Sequence, residues 1–215
     1  MQASKTPRYR VVIADDHLLV RKGIRALVEE LGHEVVAEAD EGIAAVAAVL
    51  ALEPDLALVD IAMPGLSGIE VVLRVAGSLP GVRLLYLSGL SDKEAVIQAL
   101  RAGADGYLLK DFLLDDLADA LQTVMRGERY LSPGLPDAIH QALEGSDEPL
   151  LTARQIEVLR GLADGLTLKQ IARAMDVSPK TVEFHRAKLS ERLGIRDIPG
   201  LARYAARMGL VGGGR

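Results

Sequence analysis

The chain has 215 residues with no Cys and no Trp, and its 30 acidic residues exceed its 25 Lys and Arg residues, which gives a net charge of -5. The absence of Cys excludes disulfides, thiolate metal sites and cysteine nucleophiles. No apolar stretch reaches the roughly 18 residues of a membrane-spanning helix, and the first fifteen residues lack the apolar core of a secretory signal. We therefore expect a soluble, cytoplasmic protein with no membrane partner.

Charge is distributed unevenly along the chain. Residues 1–126 contain 12 Lys and Arg against 19 Asp and Glu, whereas residues 149–215 contain 12 against 6. A basic last third behind an acidic body indicates a segment that binds a polyanion, and nucleic acid is the first candidate. A basic helical surface that is merely solvated is the alternative.

Five short apolar runs alternate with five longer stretches up to residue 126. The runs predict β-strands at 11–14, 34–39, 56–60, 83–88 and 106–109. In the longer stretches apolar residues return every three or four positions, which predicts helices. Strict alternation of strands and helices predicts an α/β fold with a doubly wound, five-stranded parallel sheet.

The segment 127–149 differs in composition from both of its neighbours. It contains three of the nine prolines and several acids, which predicts a linker with one short helix near 136–143. Capping-box patterns at Thr152 and Thr167 follow it, with a Ser178-Pro179 helix start, and they predict a small all-α unit of four helices. We expect these helices at about 153–163, 168–175, 179–193 and 197–208.

Polar residues end or follow four of the five predicted strands. In chain order they are Asp15, Asp16, Asp60, Ser88 and Lys110. Because open parallel sheets bind ligands at the carboxyl ends of their strands, we expect these side chains to converge at one edge. Three clustered carboxylates either share protons or bind a hard cation, and their oxygen atoms suit Mg²⁺. The sequence therefore predicts a magnesium site at this edge.

A carboxylate beside Mg²⁺ can attack a phosphorus centre and form an acyl phosphate. In this interpretation Asp60 is the nucleophile, while Asp15 and Asp16 hold Mg²⁺ directly or through water. Lys110 pairs with the phosphoryl group, and Ser88 donates a hydrogen bond to it. Each residue alone also fits an ordinary role in a helix cap or a loop. Their joint occurrence at strand ends favours the site.

Four segments resemble the receiver domain of bacterial response regulators: VVIADDH, LALVDIAMPGLSG, LYLSG and RAGADGYLLKD. The resemblance covers residues 9–126 and implies a flavodoxin-like fold in which Asp60 accepts phosphate from a sensor histidine kinase. It also implies that the backbone carbonyl of Ala62 completes the metal ligands. Ser88 and Tyr107 would form a switch pair, in which the hydroxyl moves toward the phosphoryl group and the ring follows inward.

Three neighbours of this site need separate interpretation. His17 lies just past the acids, and we expect a helix-start residue without a catalytic role. Tyr107 also fits a packed strand aromatic. Many receivers have proline after the lysine, whereas Asp111 follows Lys110 here, so we expect a trans peptide bond.

The turn AMDVSPKT joins two predicted helices, and the second of them is basic. A helix pair joined by a short turn is the helix-turn-helix arrangement, which places its second helix in the DNA major groove. Residues 150–210 resemble the LuxR-type DNA-binding domain in LTARQIEVLRGLADGLTLKQIA, VSPKTVEFHRAKLSERLG and LARYAARMGL. With the receiver resemblance, this implies a NarL/FixJ-type response regulator. A helical protein-interaction module is the alternative for this block.

The LuxR-type pattern implies which residues contact DNA. Those facing base edges would be Glu183, Phe184 and Ala187, and those near phosphates would be Lys169, Lys180, Thr181, His185, Arg186 and Lys188. Glu183 departs from the pattern, in which Lys is frequent; it would either accept from a cytosine amino group or repel phosphates. Phe184 packing inward is the alternative for that residue.

The last predicted helix is the family's usual place for contacts between two DNA-bound copies, so we expect a homodimer on paired half-sites. Leu201 and Tyr204 are the candidate contacts, and the alternative is that both close the core of a single copy.

We expect three parts: a receiver domain at 1–126, a linker at 127–149 and a DNA-binding domain at 150–215. Phosphorylation of Asp60 by a sensor histidine kinase would control DNA binding and transcription in this two-component response regulator, which is a phosphoacceptor rather than an enzyme. A phosphotransferase or phosphatase would usually need a second acid at position 62, where the chain has Ala. A pseudo-receiver controlled by protein contacts alone is the other alternative.

Overall fold

The computed structural model describes residues 7–76, 78–89, 93–137, 139, 151–208 and 210. The chain divides into two compact units, Met1–Ser146 and Asp147–Arg215. Among the helices within the described ranges, none combines the length and apolar character needed to cross a membrane.

The first unit alternates strands and helices, as the sequence predicts. Its strands are β1 (Arg10–Ala14), β2 (Glu34–Ala39), β3 (Leu56–Asp60), β4 (Arg83–Ser88), β5 (Gly106–Leu109) and β6 (Tyr130–Leu131). Its helices are α1 (Leu18–Glu30), α2 (Gly42–Leu52), α3 (Gly68–Ala76), α4 (Lys93–Arg101) and α5 (Leu113–Met125), with a 3₁₀ turn at Lys110–Phe112.

The strands form one parallel sheet in the order β2-β1-β3-β4-β5-β6. This confirms the doubly wound α/β class. The order reverses between β1 and β3, and ligand sites of open sheets lie at such reversals. A core cluster formed by side chains from β1, β3, β4 and β5 with α1 and α5 fixes these strand ends in place.

The expected count of five strands is wrong, because β6 extends the sheet within the expected linker. Its residues pair with β5, Gly106 opposite Tyr130 and Tyr107 opposite Leu131. The amide of Ser132 continues the ladder by donating to the carbonyl of Tyr107 at 2.9 Å. A two-residue strand in a proline-rich segment has too few residues to show a period. Most of the helix expected near 136–143 lies outside the described residues.

The second unit contains the four expected helices, with ends within one residue of those predicted. They are α6 (Ala153–Ala163), α7 (Leu168–Ala174), α8 (Pro179–Leu193) and α9 (Ile198–Arg207). Both predicted capping boxes form, at Thr152 and at Thr167, and the Ser178 side chain caps α8. These caps satisfy amides that a helix start leaves without partners and so fix where each helix begins.

Candidate functional site

The structure brings three of the predicted site residues into direct contact. The Nζ atom of Lys110 lies 2.8 Å from Oδ2 of Asp15 and 3.1 Å from Oδ1 of Asp60. Asp15 follows β1, Asp60 ends β3 and Lys110 follows β5, so three strand ends meet here. Asp15 is fully buried and Asp60 is 3% exposed. A half-buried lysine bridging two buried carboxylates is thus the centre of the site.

The acidic side chains are close enough to share one cation. Potential ligand atoms of Asp15, Asp16, His17 and Asp60 all lie within 4.8 Å of one another. The Oδ2 atom of Asp60 is buried and has no hydrogen-bond partner among the described residues. Such an atom is costly unless it receives a ligand. Carboxylate oxygens in a partly buried cluster fit a hard cation such as Mg²⁺.

His17 is the N-cap residue directly before α1, as expected of a helix-start residue. Its amide donates to Oδ1 of Asp15 at 2.8 Å, and its Nδ1 atom lies 2.6 Å from Oδ1 of Asp16. The side chain is 68% exposed, so it borders the acidic cluster on the solvent side.

The charges in the site shift each other's titration. Burial raises the pKa of Asp60, the neighbouring Asp15 and Asp16 carboxylates raise it further, and Lys110 opposes them without cancelling the shift. Burial acts to lower the pKa of Lys110, but Asp60 and Asp15 outweigh it, so the pKa is raised. The ammonium group is therefore charged at neutral pH, and the site holds Asp60 in a surrounding that penalises its ionised form.

The backbone after Asp60 is held by a close approach of α3. The Gly68 amide donates to the carbonyl of Ile61 at 2.9 Å, and a Cβ atom at Gly68 would lie 2.2 Å from the carbonyl oxygen of Asp60. Only glycine fits this contact. Ala62, the expected carbonyl ligand, lies in this loop and is exposed.

The two expected switch residues lie on neighbouring strands. Ser88 ends β4 and is 2% exposed, and Tyr107 in β5 is fully buried. The Tyr107 ring lies 6.2 Å from that of Tyr86, between ring centroids. The ring therefore packs inside the unit in this structure. No cis peptide bond occurs among the described residues, as expected for Lys110 and Asp111.

The predicted DNA-reading face of α8 is open to solvent. Glu183, Phe184 and Ala187 are all exposed. Phe184 is 59% exposed, so the alternative in which it packs inward is wrong. The opposite face of the helix buries Val182 and Leu189 instead.

The residues expected near phosphates surround this face. Lys169, Lys180 and Lys188 are exposed, whereas Thr181, His185 and Arg186 are half-buried. The Lys188 ammonium lies 2.9 Å from the carboxylate of Glu191, so a phosphate contact there would compete with an ion pair. Of the three exposed lysines, Lys169 and Lys180 are therefore the stronger candidates for contacts to DNA phosphates.

The structure corrects the expected dimer contacts. Leu201 is 1% exposed and Tyr204 is 5% exposed, because this face of α9 packs into the unit, where α6 is its main neighbour. Both side chains close the core of a single copy, as the alternative stated, and present almost no surface to a second copy.

Sequence reasoning missed Arg21 and Glu38, which flank the acidic site. Arg21 donates from Nη1 to the backbone carbonyl of Asp15, and its Nε atom lies 3.4 Å from Oε2 of Glu38. The helical spacing that places Arg21 one turn after His17 is visible in the sequence, but a contact to a backbone carbonyl leaves no residue pattern.

Comparison with known proteins identifies both units. Residues 11–122 match the family described as the response regulator receiver domain, and residues 149–205 match the family described as bacterial regulatory proteins of the luxR family. The chain belongs to the response regulators that join a receiver domain to a LuxR-type DNA-binding domain.

Similar proteins span almost the whole chain. The transcriptional regulatory protein MctR of Rhizobium johnstonii is 35% identical over 212 residues, which are 97% of this chain and 98% of that protein. A structure of RcsB from Salmonella enterica bound to promoter rprA with the phosphomimetic BeF3- has a TM-score of 0.66 at 26% identity, covering 93% of this chain and 99% of the other. A structure described as two RcsB dimers bound to two parallel DNAs has a TM-score of 0.57 at 26% identity, covering 94% and 99%.

Proposed function

We propose that Asp60 is the phosphoacceptor of this response regulator and that its phosphorylation by a sensor histidine kinase controls DNA binding by the second unit. The observation that carries this proposal is the Oδ2 atom of Asp60, which is buried without a hydrogen-bond partner among the described residues beside a charged lysine. A structural carboxylate at such a depth would have its oxygens satisfied.

The residues themselves support an acyl-phosphate reaction. A carboxylate oxygen of Asp60 attacks the phosphorus atom of a phosphohistidine, the new O–P bond forms, and the P–N bond breaks with its electrons on the imidazole. Lys110, 3.1 Å from Asp60, stays protonated and offsets negative charge on the phosphoryl oxygens. Ser88 donates its hydroxyl hydrogen to one of those oxygens. No second acid is needed, because the carboxylate is already ionised when it attacks.

Mg²⁺ is the proposed cofactor of this site. Asp15, Asp16 and Asp60 would hold it through carboxylate oxygens, with the carbonyl of Ala62 as a further ligand. When bound, the ion supplies positive charge that neutralises the phosphoryl group in transfer. The buried cluster of Asp15 and Asp60 is the reason this chain needs such a charge in addition to Lys110.

The second unit is the proposed output. The exposed residues Glu183, Phe184 and Ala187 would lie against base edges, with Lys169 and Lys180 against phosphates. The similarity to RcsB, whose structures are described with promoter DNA and as dimers, supports binding of this chain to DNA as a homodimer on paired half-sites. Because Leu201 and Tyr204 are buried, the contact between copies would use other residues. The proposed parts are the receiver at 1–126, the linker at 127–149 and the DNA-binding domain at 150–215.

The proposed control of DNA binding by phosphorylation of Asp60 is tested by measuring DNA affinity with and without phosphorylation. Duplexes enriched from a random pool by the full-length protein serve as ligand, and affinity is followed by fluorescence anisotropy. Acetyl phosphate with Mg²⁺ should change the affinity of the wild type and leave that of Asp60→Asn unchanged. Equal affinities in all four conditions would contradict control through Asp60 and favour a pseudo-receiver that acts by protein contacts.

A further inference from the structure

Arg21, in the first part of α1, joins the acidic site to strand β2. Its Nη1 group donates to the backbone carbonyl of Asp15, and its Nε atom lies 3.4 Å from Oε2 of Glu38 in β2. The Arg21 side chain is only 12% exposed and that of Glu38 16%. The Arg21 side chain is thus enclosed between the Asp15 backbone and β2.

Glu38 contacts Arg21 as an ion pair without a hydrogen bond, since the buried Nε atom of Arg21 has no hydrogen-bond partner among the described residues. Its carboxylate also lies 3.1 Å from Lys22 and 2.7 Å from Arg25. Burial acts to raise the pKa of Glu38, but the hydrogen bonds from Arg25 and Lys22 outweigh it, so the pKa is lowered. The carboxylate therefore stays ionised and holds three cationic side chains on one side of α1.

Arg21 differs from Lys22 and Arg25 in the group that it contacts besides Glu38. Within the described residues neither Lys22 nor Arg25 contacts Asp15, whereas Arg21 holds the carbonyl that begins the peptide group between Asp15 and Asp16. The amide of Asp15 is fixed separately, since it donates to the carbonyl of Ala39 at 3.1 Å. A peptide group is planar, so fixing that carbonyl fixes the backbone from which the Asp16 side chain departs.

We propose that Arg21 is a positioning residue of the acidic site: it orients the peptide between Asp15 and Asp16 and thereby sets the affinity of the site for a divalent cation. This inference rests on the proposed function of that site. Arg21 would act by orienting the backbone, because its guanidinium contacts a backbone oxygen and does not occupy the carboxylates of Asp15 and Asp16 that would bind the ion.

The matched control is Arg25→Gln. Arg21→Gln and Arg25→Gln each remove one positive charge from α1 and one contact to Glu38. Arg25→Gln also removes an ion pair with Glu29, whereas only Arg21→Gln removes the bond to the Asp15 carbonyl. Full-length wild type and both variants are titrated with Mn²⁺, a hard divalent ion that prefers oxygen ligands, and free Mn²⁺ is counted by electron paramagnetic resonance.

We expect Arg21→Gln to weaken Mn²⁺ binding about tenfold, the size usual for the loss of a group that orients a metal ligand. Arg25→Gln should stay within about twofold of the wild type, because Arg25 is 41% exposed and its ion pairs with Glu29 and Glu38 do not involve the Asp15 backbone. With acetyl phosphate, Arg21→Gln should need more Mg²⁺ for half-maximal phosphorylation yet reach the wild-type rate at saturating Mg²⁺.

Equal Mn²⁺ affinities of the two Gln variants would overturn the role of Arg21 while leaving the proposed function intact. A wild type that binds no Mn²⁺ would overturn the metal site and this inference together. If circular dichroism shows that Arg21→Gln is unfolded, Arg21→Lys takes its place. Its loss of affinity should then exceed that of Arg25→Gln, and equality with that control would again overturn the proposal.

Discussion

The ammonium group of Lys110 lies 3.1 Å from Oδ1 of the buried Asp60 and 2.8 Å from Oδ2 of a second buried carboxylate, that of Asp15. One lysine thus forms ion pairs with two carboxylates that have little access to solvent. The positive charge of Lys110 does not fully offset burial and the neighbouring carboxylates, so the pKa of Asp60 remains raised. The ionised Asp60 is therefore held at a cost to the stability of the metal-free protein.

That cost should be visible in the stability of Asp60→Asn. A group whose pKa is raised in the folded state contributes stability below its unfolded pKa, and this contribution is lost as pH rises through the folded pKa. At pH 7 the metal-free Asn variant should therefore unfold at a higher temperature than the wild type. The difference should shrink below about pH 4, where the unfolded-state carboxyl is protonated as well. Calorimetry at both pH values measures it, and a variant less stable at pH 7 would contradict the strained carboxylate.

Removal of Lys110 should have the opposite effect. Lys110→Met leaves two buried carboxylates without their cation, and breaking a buried pair in this way costs about 3–5 kcal/mol. Urea unfolding without metal should show this loss, and added Mg²⁺ should restore part of it. Asp60→Asn should therefore stabilise the Lys110→Met protein by more than it stabilises the wild type. An equal gain in the two backgrounds would mean that Lys110 and Asp60 do not interact.

Strand β6 should depend on the absence of a side chain at Gly106. A Cβ atom there would lie 2.8 Å from the Tyr130 carbonyl oxygen and 2.8 Å from Cδ1 of Leu85. Gly106→Ala should therefore destabilise the protein by about 1–3 kcal/mol, the usual cost of overpacking. It should also speed hydrogen exchange of the Ser132 amide, which bonds to Tyr107 next to this contact.

The matched control for β6 is Gly23→Ala in α1, where an added Cβ atom meets nothing within 4 Å. Because alanine favours a helix over glycine by about 1 kcal/mol, this variant should be neutral or more stable. Slow exchange at Ser132 in Gly106→Ala would show that β6 is not held through this contact.

On the second unit, Lys180→Ala should weaken binding to every duplex to a similar extent. A phosphate contact carries no sequence information, and its loss should reduce the slope of log affinity against log salt by about 1. Glu183→Gln should instead change the preferred sequence, because Glu183 is exposed on the face of α8 that we propose to lie against base edges. Arg154→Ala on α6, whose charge is paired with Glu157, is the control. Anisotropy titrations at several salt concentrations distinguish these cases.

Much of this organisation could be predicted from the sequence, since it depends on local patterns. The strand ends near Asp60 and Lys110 follow from short apolar runs. The starts of the last helices follow from capping residues such as Thr152 and Ser178. The sequence only partly predicts which residues of a helix are buried. Phe184 is apolar yet exposed, because the packing of α8 buries Val182 and Leu189 instead.

The features that could not be predicted involve contacts without a residue pattern. Strand β6 is held by backbone hydrogen bonds to β5, and Arg21 binds a carbonyl oxygen, which every residue has. Leu201 and Tyr204 fit either a core or an interface by composition. Their burial depends on how α9 packs against α6, which is a property of the folded unit.

Intact-mass spectrometry shows whether Asp60 accepts a phosphoryl group, the step on which the proposed control of DNA binding depends. The full-length protein and Asp60→Asn are incubated with Mg²⁺ and acetyl phosphate, and circular dichroism verifies that both are folded. We expect the wild type to gain the mass of one phosphoryl group and the variant to gain none. A gain of equal size in the variant would place the phosphate on another residue, and no gain in the folded wild type would contradict a phosphorylated receiver.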